Sequence, residues 1–328
     1  MKKFKNSLVL GKFLPPHNGH LYLIDTAAAQ SEQVYVLCCS LEREPIPGYL
    51  RAKWLTQIYN QVPNVKIIHI TDENPQYPEE DPENFWQIWY DTVYNNVDSL
   101  DAIFTSEDYG DPFSKSLGIQ HVLVDKERTA YPVSGTAVRA NAFENWDLIP
   151  DNVKEYFIKK ICLIGPESTG KTTLAQKLAK EFNTVWIPEY GREYCDKYGV
   201  NCDDRDLSHI AAGQLQNEDD LICTANKIAI CDTDLIATQI WCEMYETKCP
   251  RWIIDASYQR KYDLYLVTKP DITWVDDGQR IFPHKRDWHF NRIIQELEKR
   301  GLNYEIIDGD YEQRFEKAKD IINKKALI

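Results

Sequence analysis

Short apolar runs recur along this 328-residue chain, each followed by a longer stretch in which apolar residues return every three or four positions. The runs have strand length and the stretches helix length, so their alternation predicts an α/β fold with parallel sheets and helical crossovers. In the first half the pattern predicts strands near 6–11, 33–39 (QVYVLCC), 65–70 (VKIIHI), 101–105 (DAIFT) and 120–124 (QHVLV), with helices near 18–30, 48–60, 84–98 and 111–118. Around 143–159 it gives way to a polar and aromatic connector that holds Pro150. A second series follows, with strands at 160–164, 184–187, 227–231, 263–267 and 303–307 and helices at 171–182, 206–226, 235–246, 287–300 and 310–325. Such a chain exceeds what one ordinary core serves, so we expect two domains, 1–150 and 151–328. Five strands with intervening helices suit a nucleotide-kinase core in the second.

Composition narrows the partners. Hydrophobic residues at 43% and charged residues at 27% are ordinary for a globular protein. A net charge of −13 argues against broad binding to nucleic acid or a membrane surface, because those need clustered Lys and Arg. Any phosphate must therefore be met locally. Nine cysteines, an odd count with no C-x-x-C spacing, suggest neither a disulfide framework nor a zinc site. The apolar run in MKKFKNSLVLGKF is too short for a signal peptide, and nothing approaches a membrane span of ~20 residues. The cytoplasm is the expected compartment.

The first local phosphate site is GPESTGKT, 165–172, which matches G-x-x-x-x-G-K-[ST] between a predicted strand and a predicted helix. Gly165 and Gly170 let the backbone curl so that the N–H groups of Glu167, Ser168 and Thr169 point at phosphate oxygens, and the helix N-terminus adds its dipole. Lys171 would reach the β/γ-phosphates and Thr172, followed by Thr173, would hold Mg²⁺. In CDTD, Asp232 and Asp234 end a strand where a metal-binding carboxylate would sit, although helix capping explains such residues equally well. Glu189, in IPEYGRE beside Tyr190, stands where an acceptor hydroxyl could be oriented or deprotonated; an ion pair with Arg192 is the plainer alternative. The segment 274–290 (WVDDGQRIFPHKRDWHF) mixes Gly, Pro and basic residues, so Arg280, Lys285 or Arg286 could close over the transferring phosphoryl group. An ordinary solvated loop competes with that reading.

The second is GKFLPPHNGH, 11–20, again a strand, a turn and an apolar-periodic helix. Gly11, Lys12 and Phe13 enter the turn, Gly19 permits close approach, and His17 and His20 could donate to an α-phosphate whose charge grows as pyrophosphate leaves. Zinc is the rival use of paired histidines, with no third ligand at a recognisable spacing. SGTAVR, 134–139, supplies Ser134, Gly135, Thr136 and Arg139 at another helix start, donors suited to β/γ-phosphates.

G-K-F-x-P-x-H-x-G-H together with S-G-T-x-x-R resembles the HxGH nucleotidyltransferase superfamily, whose Rossmann-like domains join ATP to a phosphate acceptor. Followed by a P-loop domain, and with TSEDYGDPF, HVLVD, PEYGREY and WVDDG between, nearly the whole chain is similar to the bifunctional nicotinamide-nucleotide adenylyltransferase/ribosylnicotinamide kinase family. The resemblance implies phosphorylation of nicotinamide riboside by MgATP in the second domain and adenylylation of the resulting mononucleotide (NMN) to NAD⁺ in the first. It implies that Lys12, His17, His20, Arg139 and the SGT turn serve ATP, that Thr105, Ser106 and Glu107 lie by the bound nucleotides, and that the acidic loop 71–90 closes on the nicotinamide. A positively charged pyridinium suits stacking on Trp86 or Trp89. Those tryptophans also form a broad helical stripe with Phe85 and Val93, which core packing would explain. The partners implied are small molecules, with no nucleic acid or membrane, and a homo-oligomer is compatible with them. Enterobacterial members carry a helix-turn-helix segment that this chain, entering its first strand within ten residues, is expected to lack. The competing readings are a coenzyme A synthase pairing of phosphopantetheine adenylyltransferase with dephospho-CoA kinase, and a nucleotide-sensing regulator.

Overall fold

The computed structural model describes residues 2–327 and forms two compact units, one up to Lys154 and the other from Glu155. The first contains β1 (Phe4–Gly11), α1 (Asn18–Gln30), β2 (Ser31–Cys39), α2 (Gly48–Tyr59), β3 (Val65–Ile70), α3 (Phe85–Tyr94), β4 (Ala102–Thr105), α4 (Gly110–Leu117), β5 (Gln120–Leu123), α5 (Gly135–Ala140) and the short α6 (Asp151–Lys154). Its sheet runs β3-β2-β1-β4-β5 with every pair parallel. Both faces are covered, which is why the strands read as unbroken apolar runs. Along β1, Val9 turns to a core shared with Leu23 and Ile24 of α1 and Leu55 of α2, and Leu8 to one shared with Phe85 and Val93 of α3 and Phe113 of α4.

The second unit contains β6 (Lys159–Ile164), α7 (Lys171–Glu181), β7 (Trp186–Ile187), α8 (Tyr190–Tyr198), α9 (Asp204–Leu221), β8 (Ile228–Asp232), α10 (Leu235–Met244), α11 (Arg251–Gln259), β9 (Leu264–Thr268), α12 (Arg286–Lys299), β10 (Tyr304–Ile307) and α13 (Tyr311–Lys325). The sheet order is β10-β9-β6-β8-β7, again all parallel. Ile161 and Leu163 of β6 pack on α7 and α13 through Leu174, Leu178, Phe315 and Ile322. Cys162 and Ile164 face the other way, onto Ile240 of α10 and Ile293 and Leu297 of α12.

Four expectations need correction. The helix predicted to reach 98 stops at Tyr94, and the strand predicted over 184–187 shrinks to two residues. The helix predicted at 206–226 begins at Asp204, where Asp203 and Asp206 form a capping box, and ends at Leu221. Helices α8 and α11 fall where the hydrophobic pattern predicts none: α8 buries no residue and α11 buries only Ile253 and Ser257. Both are nine residues long and give the core at most two residues, so they are easily taken for parts of longer connections.

In each sheet the chain reverses its direction of travel once. Crossovers from β1 and β4 leave in opposite directions, as do those from β6 and β8, opening a crevice above the carboxyl ends of each pair. Such crevices are where ligands bind in open α/β sheets.

Candidate active sites

The crevice between β1 and β4 holds the first cluster. His17 is the N-cap of α1; its Nδ1 accepts the His20 backbone N–H at 3.3 Å, so the neutral ring carries its proton on Nε2 and can donate it. The two imidazoles stack with centroids 3.6 Å apart, and the Phe13 ring stands edge-on to His20. Burial, aided by the charge of Arg128, holds His17 down at about 4 and His20 well below its usual range. Both are therefore neutral at pH 7 and cannot repel the cations around them. Among the described residues no group of three or more His, Cys, Asp or Glu could hold a metal, so the zinc alternative has no ligand set.

Around the histidines the cleft is lined by Lys12, Ser106, Glu107, Arg128, Ser134, Thr136 and Arg139. Ser134 caps α5 by accepting from Ala137 N–H at 3.1 Å, and Arg139 donates to the Leu14 carbonyl and to Thr136 Oγ1, so the SGT turn is fastened to the HNGH turn. Lys12 pairs with Glu44 at 3.0 Å, and Glu44 in turn pairs with the fully buried Arg51, whose Nη1 donates to the Lys12 carbonyl. The sequence reading missed Arg51, Glu44 and Arg128. An arginine in an amphipathic helix or a polar loop gives no hint that it will be buried.

Two of the predicted contacts are buried, Thr105 behind the cleft and Trp89 in its wall. Thr105 is wholly buried and braces the turn, its hydroxyl bonded to His121 Nε2 at 2.8 Å and to the Glu107 carbonyl at 3.0 Å. Trp89 is buried in the core and spends its indole N–H on the Pro75 carbonyl. Trp86, half-buried at the cleft wall, keeps the more open ring.

The crevice between β6 and β8 holds the second cluster. Gly165 lets Thr268 come so close that a Cβ would stand 2.2 Å from its hydroxyl, and Gly170 has φ +77. Lys171, half-buried and with its ammonium made less basic by desolvation, donates to the carbonyls of Gly165 and Pro166 at 2.9 Å. Thr172 Oγ1 donates to Asp232 Oδ2 at 2.6 Å, while Asp232 Oδ1 is buried without a partner. Burial, reinforced by the charge of Glu189, raises Asp232 to about 6. Asp234 is different: one oxygen caps α10 through Ala237 N–H and the other accepts the Tyr265 hydroxyl. Both of its oxygens thus serve the fold, as the helix-capping alternative has it, whereas Asp232 keeps one oxygen without a partner.

Segment 274–290 is latched onto this loop. Glu167 accepts from the Ile281 and Phe282 N–H groups, Ser168 Oγ accepts from Val275 N–H, and Arg280 bonds Ser168 Oγ at 3.2 Å. Arg286 is turned to the Ser168 and Ile272 carbonyls, which makes it a fastener of the segment. Arg192 bridges Glu189 at 3.6 Å and Asp277 at 3.0 Å, joining the start of α8 to the same segment. Tyr190 is anchored through its N–H to Gln214 with its ring against Gly213, and Thr173 is exposed on α7. Arg314, also missed, is buried and ties the Thr169 and Lys269 carbonyls together at 2.8 Å.

Comparison with known proteins agrees with these two clusters. A cytidylyltransferase-like family model matches residues 8–141 and an AAA domain model matches 160–314. The trifunctional NAD biosynthesis/regulator protein NadR of Escherichia coli (strain K12) is 31% identical over 97% of this chain and 82% of its own length. The chain belongs to the NadR family. The Salmonella typhimurium (strain LT2) protein of the same description is 30% identical over the same shares. In fold, the chain superposes on a crystal structure of a NadR protein in complex with NR with a TM-score of 0.81 at 24% identity, covering 99% of this chain and 97% of that one. A NadR complex with NAD and AMP-PNP gives a TM-score of 0.82 at 22% identity, covering 100% and 98%. Among the described residues no helix is long and apolar enough to cross a membrane.

Proposed function

We propose that this NadR-family chain is a two-activity enzyme of NAD biosynthesis: a ribosylnicotinamide kinase from residue 151 onward and a nicotinamide-nucleotide adenylyltransferase in residues 1–150. The observation that carries the reading is the pair of anion cradles, each at the reversal point of its own sheet and each with a different complement of donors.

In the kinase unit, Lys171 exchanges its two loop carbonyls for the β/γ-phosphates of ATP, and the glycine-rich turn supplies backbone N–H groups. Asp232 and Thr172 fit a Mg²⁺ ion, because the carboxylate keeps one buried oxygen free; the ion would neutralise phosphate charge there. Glu189 lies within the same cleft, with Arg192 beside it, and is the group we assign to orient the ribose 5′-hydroxyl and take its proton as it attacks the γ-phosphorus. Arg280 on the latched segment faces the same space.

In the adenylyltransferase unit, the phosphate of NMN attacks the α-phosphorus of ATP and pyrophosphate leaves. His17 through Nε2 and His20 donate to the α-phosphate as its charge grows, while Lys12, Arg128 and Arg139 hold the departing β/γ-phosphates. Neutral imidazoles suit that task, since donation does not require a proton to be lost. Ser106 and Glu107 line the cleft and Trp86 offers a ring to the pyridinium.

The test separates the two steps on one protein. With MgATP, Lys171→Ala should stop NMN formation from nicotinamide riboside and leave NAD⁺ formation from NMN intact. His20→Ala should do the reverse and let NMN accumulate. Loss of both reactions in each folded variant would refute the assignment of one step per unit.

A further inference from the structure

The kinase unit carries a feature that its chemistry does not use. Four of its cysteines gather in one cluster with Leu207, Trp241 and Tyr245: Cys195, Cys202, Cys242 and Cys249. They form two pairs with identical spacing, Cys195 with Cys202 and Cys242 with Cys249, and all four pack in that one cluster. All nine cysteines are free. Only the first pair lines the cleft that holds Lys171 and Glu189.

The surroundings hold that pair in place. Cys195 lies in the last turn of α8, where its carbonyl accepts the Gly199 N–H at 2.9 Å. Cys202 directly precedes the capping box of α9. Tyr194 bonds Asp206 at 2.7 Å and Tyr245 bonds the Val200 carbonyl at 2.6 Å, so the intervening loop is pinned from both sides. Helix α8, which buries no residue, is the lightly held partner.

We propose that Cys195 and Cys202 are an oxidation site, a reversible dithiol that hydrogen peroxide or a related hydroperoxide converts to a disulfide, thereby lowering activity in the adjoining kinase cleft. The effect on the kinase rests on the function proposed above; disulfide formation does not. Cys202 is the attacking sulfur. It sits beside the Cys195 thiol, whose proximity lowers the proton affinity of Cys202 and raises that of Cys195, and both thiols line the cleft. The Cys202 thiolate attacks one peroxide oxygen, the O–O bond breaks, and the departing hydroxide takes up a proton to leave as water. The Cys195 sulfur then attacks the resulting sulfenic sulfur, the S–O bond breaks, and a second water carries away the Cys195 proton. Each sulfur gives up one electron and the peroxide takes both. Bonded sulfurs stand about 2 Å apart, closer than two unbonded thiols can approach, so the bridge must draw α8 toward the start of α9. Glu189 and Arg192, at the start of α8, move with it.

The experiment treats the full chain carrying Cys223→Ser, which removes an exposed thiol, with hydrogen peroxide and then with dithiothreitol. Peptide mapping should find a Cys195–Cys202 crosslink. Kinase activity on nicotinamide riboside should fall by about tenfold or more, NAD⁺ formation from NMN should not change, and the reductant should restore the loss. Cys195→Ser should keep its kinase activity in peroxide. Absence of the crosslink, or an equal loss in Cys195→Ser, overturns the proposal. An untreated protein with no kinase activity would instead refute the proposed function, and the crosslink would still be read by mapping.

Discussion

Gly135→Ala probes whether the SGT and HNGH turns must meet as closely as they do. A Cβ on Gly135 would stand 2.5 Å from the Leu14 carbonyl oxygen and 3.2 Å from its carbon. The obstacle is backbone and cannot swing aside. Ordinary contact begins at 3.4 Å, so the two segments must part by about 0.9 Å. Forcing an extra carbon into a packed site costs about 1–3 kcal/mol, and alanine's better helix propensity offsets less than about 1 kcal/mol of it. The catalytic effect should be larger. Arg139 spans the same gap, bonding the Leu14 carbonyl and Thr136, and a 1 Å displacement of positioning groups costs on the order of 10²-fold in rate. The assay is NAD⁺ formation from NMN and MgATP, with NMN formation from nicotinamide riboside measured on the same preparation as the control for folding. We expect the first rate to fall by about two orders of magnitude and the second to be unchanged. If the variant keeps its adenylyltransferase rate within about threefold of the parent, the close approach does not position the donors and the reasoning is wrong.

Other outcomes follow from the same contacts. Asp234→Ala removes a helix cap and orphans the Tyr265 hydroxyl, so urea unfolding should show a loss of about 2–4 kcal/mol in the second unit. Asp232→Asn should leave that unfolding nearly unchanged and remove kinase activity. Glu44→Gln leaves the buried Arg51 without a counter-charge, and calorimetry should report a loss of about 3–5 kcal/mol in the first unit. His17 in the folded protein sits at about 4 against an ordinary 6.5, so between those values the unfolded chain binds a proton that the folded chain does not. Stability should therefore rise with pH across that window and decline as pH falls from 6.5 toward 4, by up to about 3 kcal/mol, and His17→Asn should flatten that slope in urea midpoints taken at pH 5 and pH 7.5.

Both phosphate turns could be read from the chain because their requirements are local. A strand, a glycine-bearing turn and a helix start within a dozen residues determine each cradle, and the sheets around them need only apolar runs. What the sequence hides is set by distant partners. Arg51 and Arg314 look like surface arginines in polar helices, and only packing against the Lys12 and Thr169 carbonyls makes them buried struts. Asp232 and Asp234 are two residues apart in CDTD and indistinguishable by composition; the Tyr265 hydroxyl, thirty-one positions away, decides which keeps a free oxygen. Trp89 was drawn into the core by the stripe it shares with Phe85 and Val93. Helix α8 carries part of the kinase site, yet it is only nine residues long and none of them is fully buried, so it adds little to the pattern of core positions.

Each unit closes its own hydrophobic clusters around its own sheet. On warming, such a chain should melt in two calorimetric steps, so no single midpoint describes it. Between those steps the polypeptide would be half an assembly line. If the amino-terminal unit opens first, a warmed sample fed nicotinamide riboside will stockpile NMN; if the carboxyl-terminal unit opens first, it will ignore the riboside yet still consume NMN. The metabolite left in the tube thus reports which half has come undone.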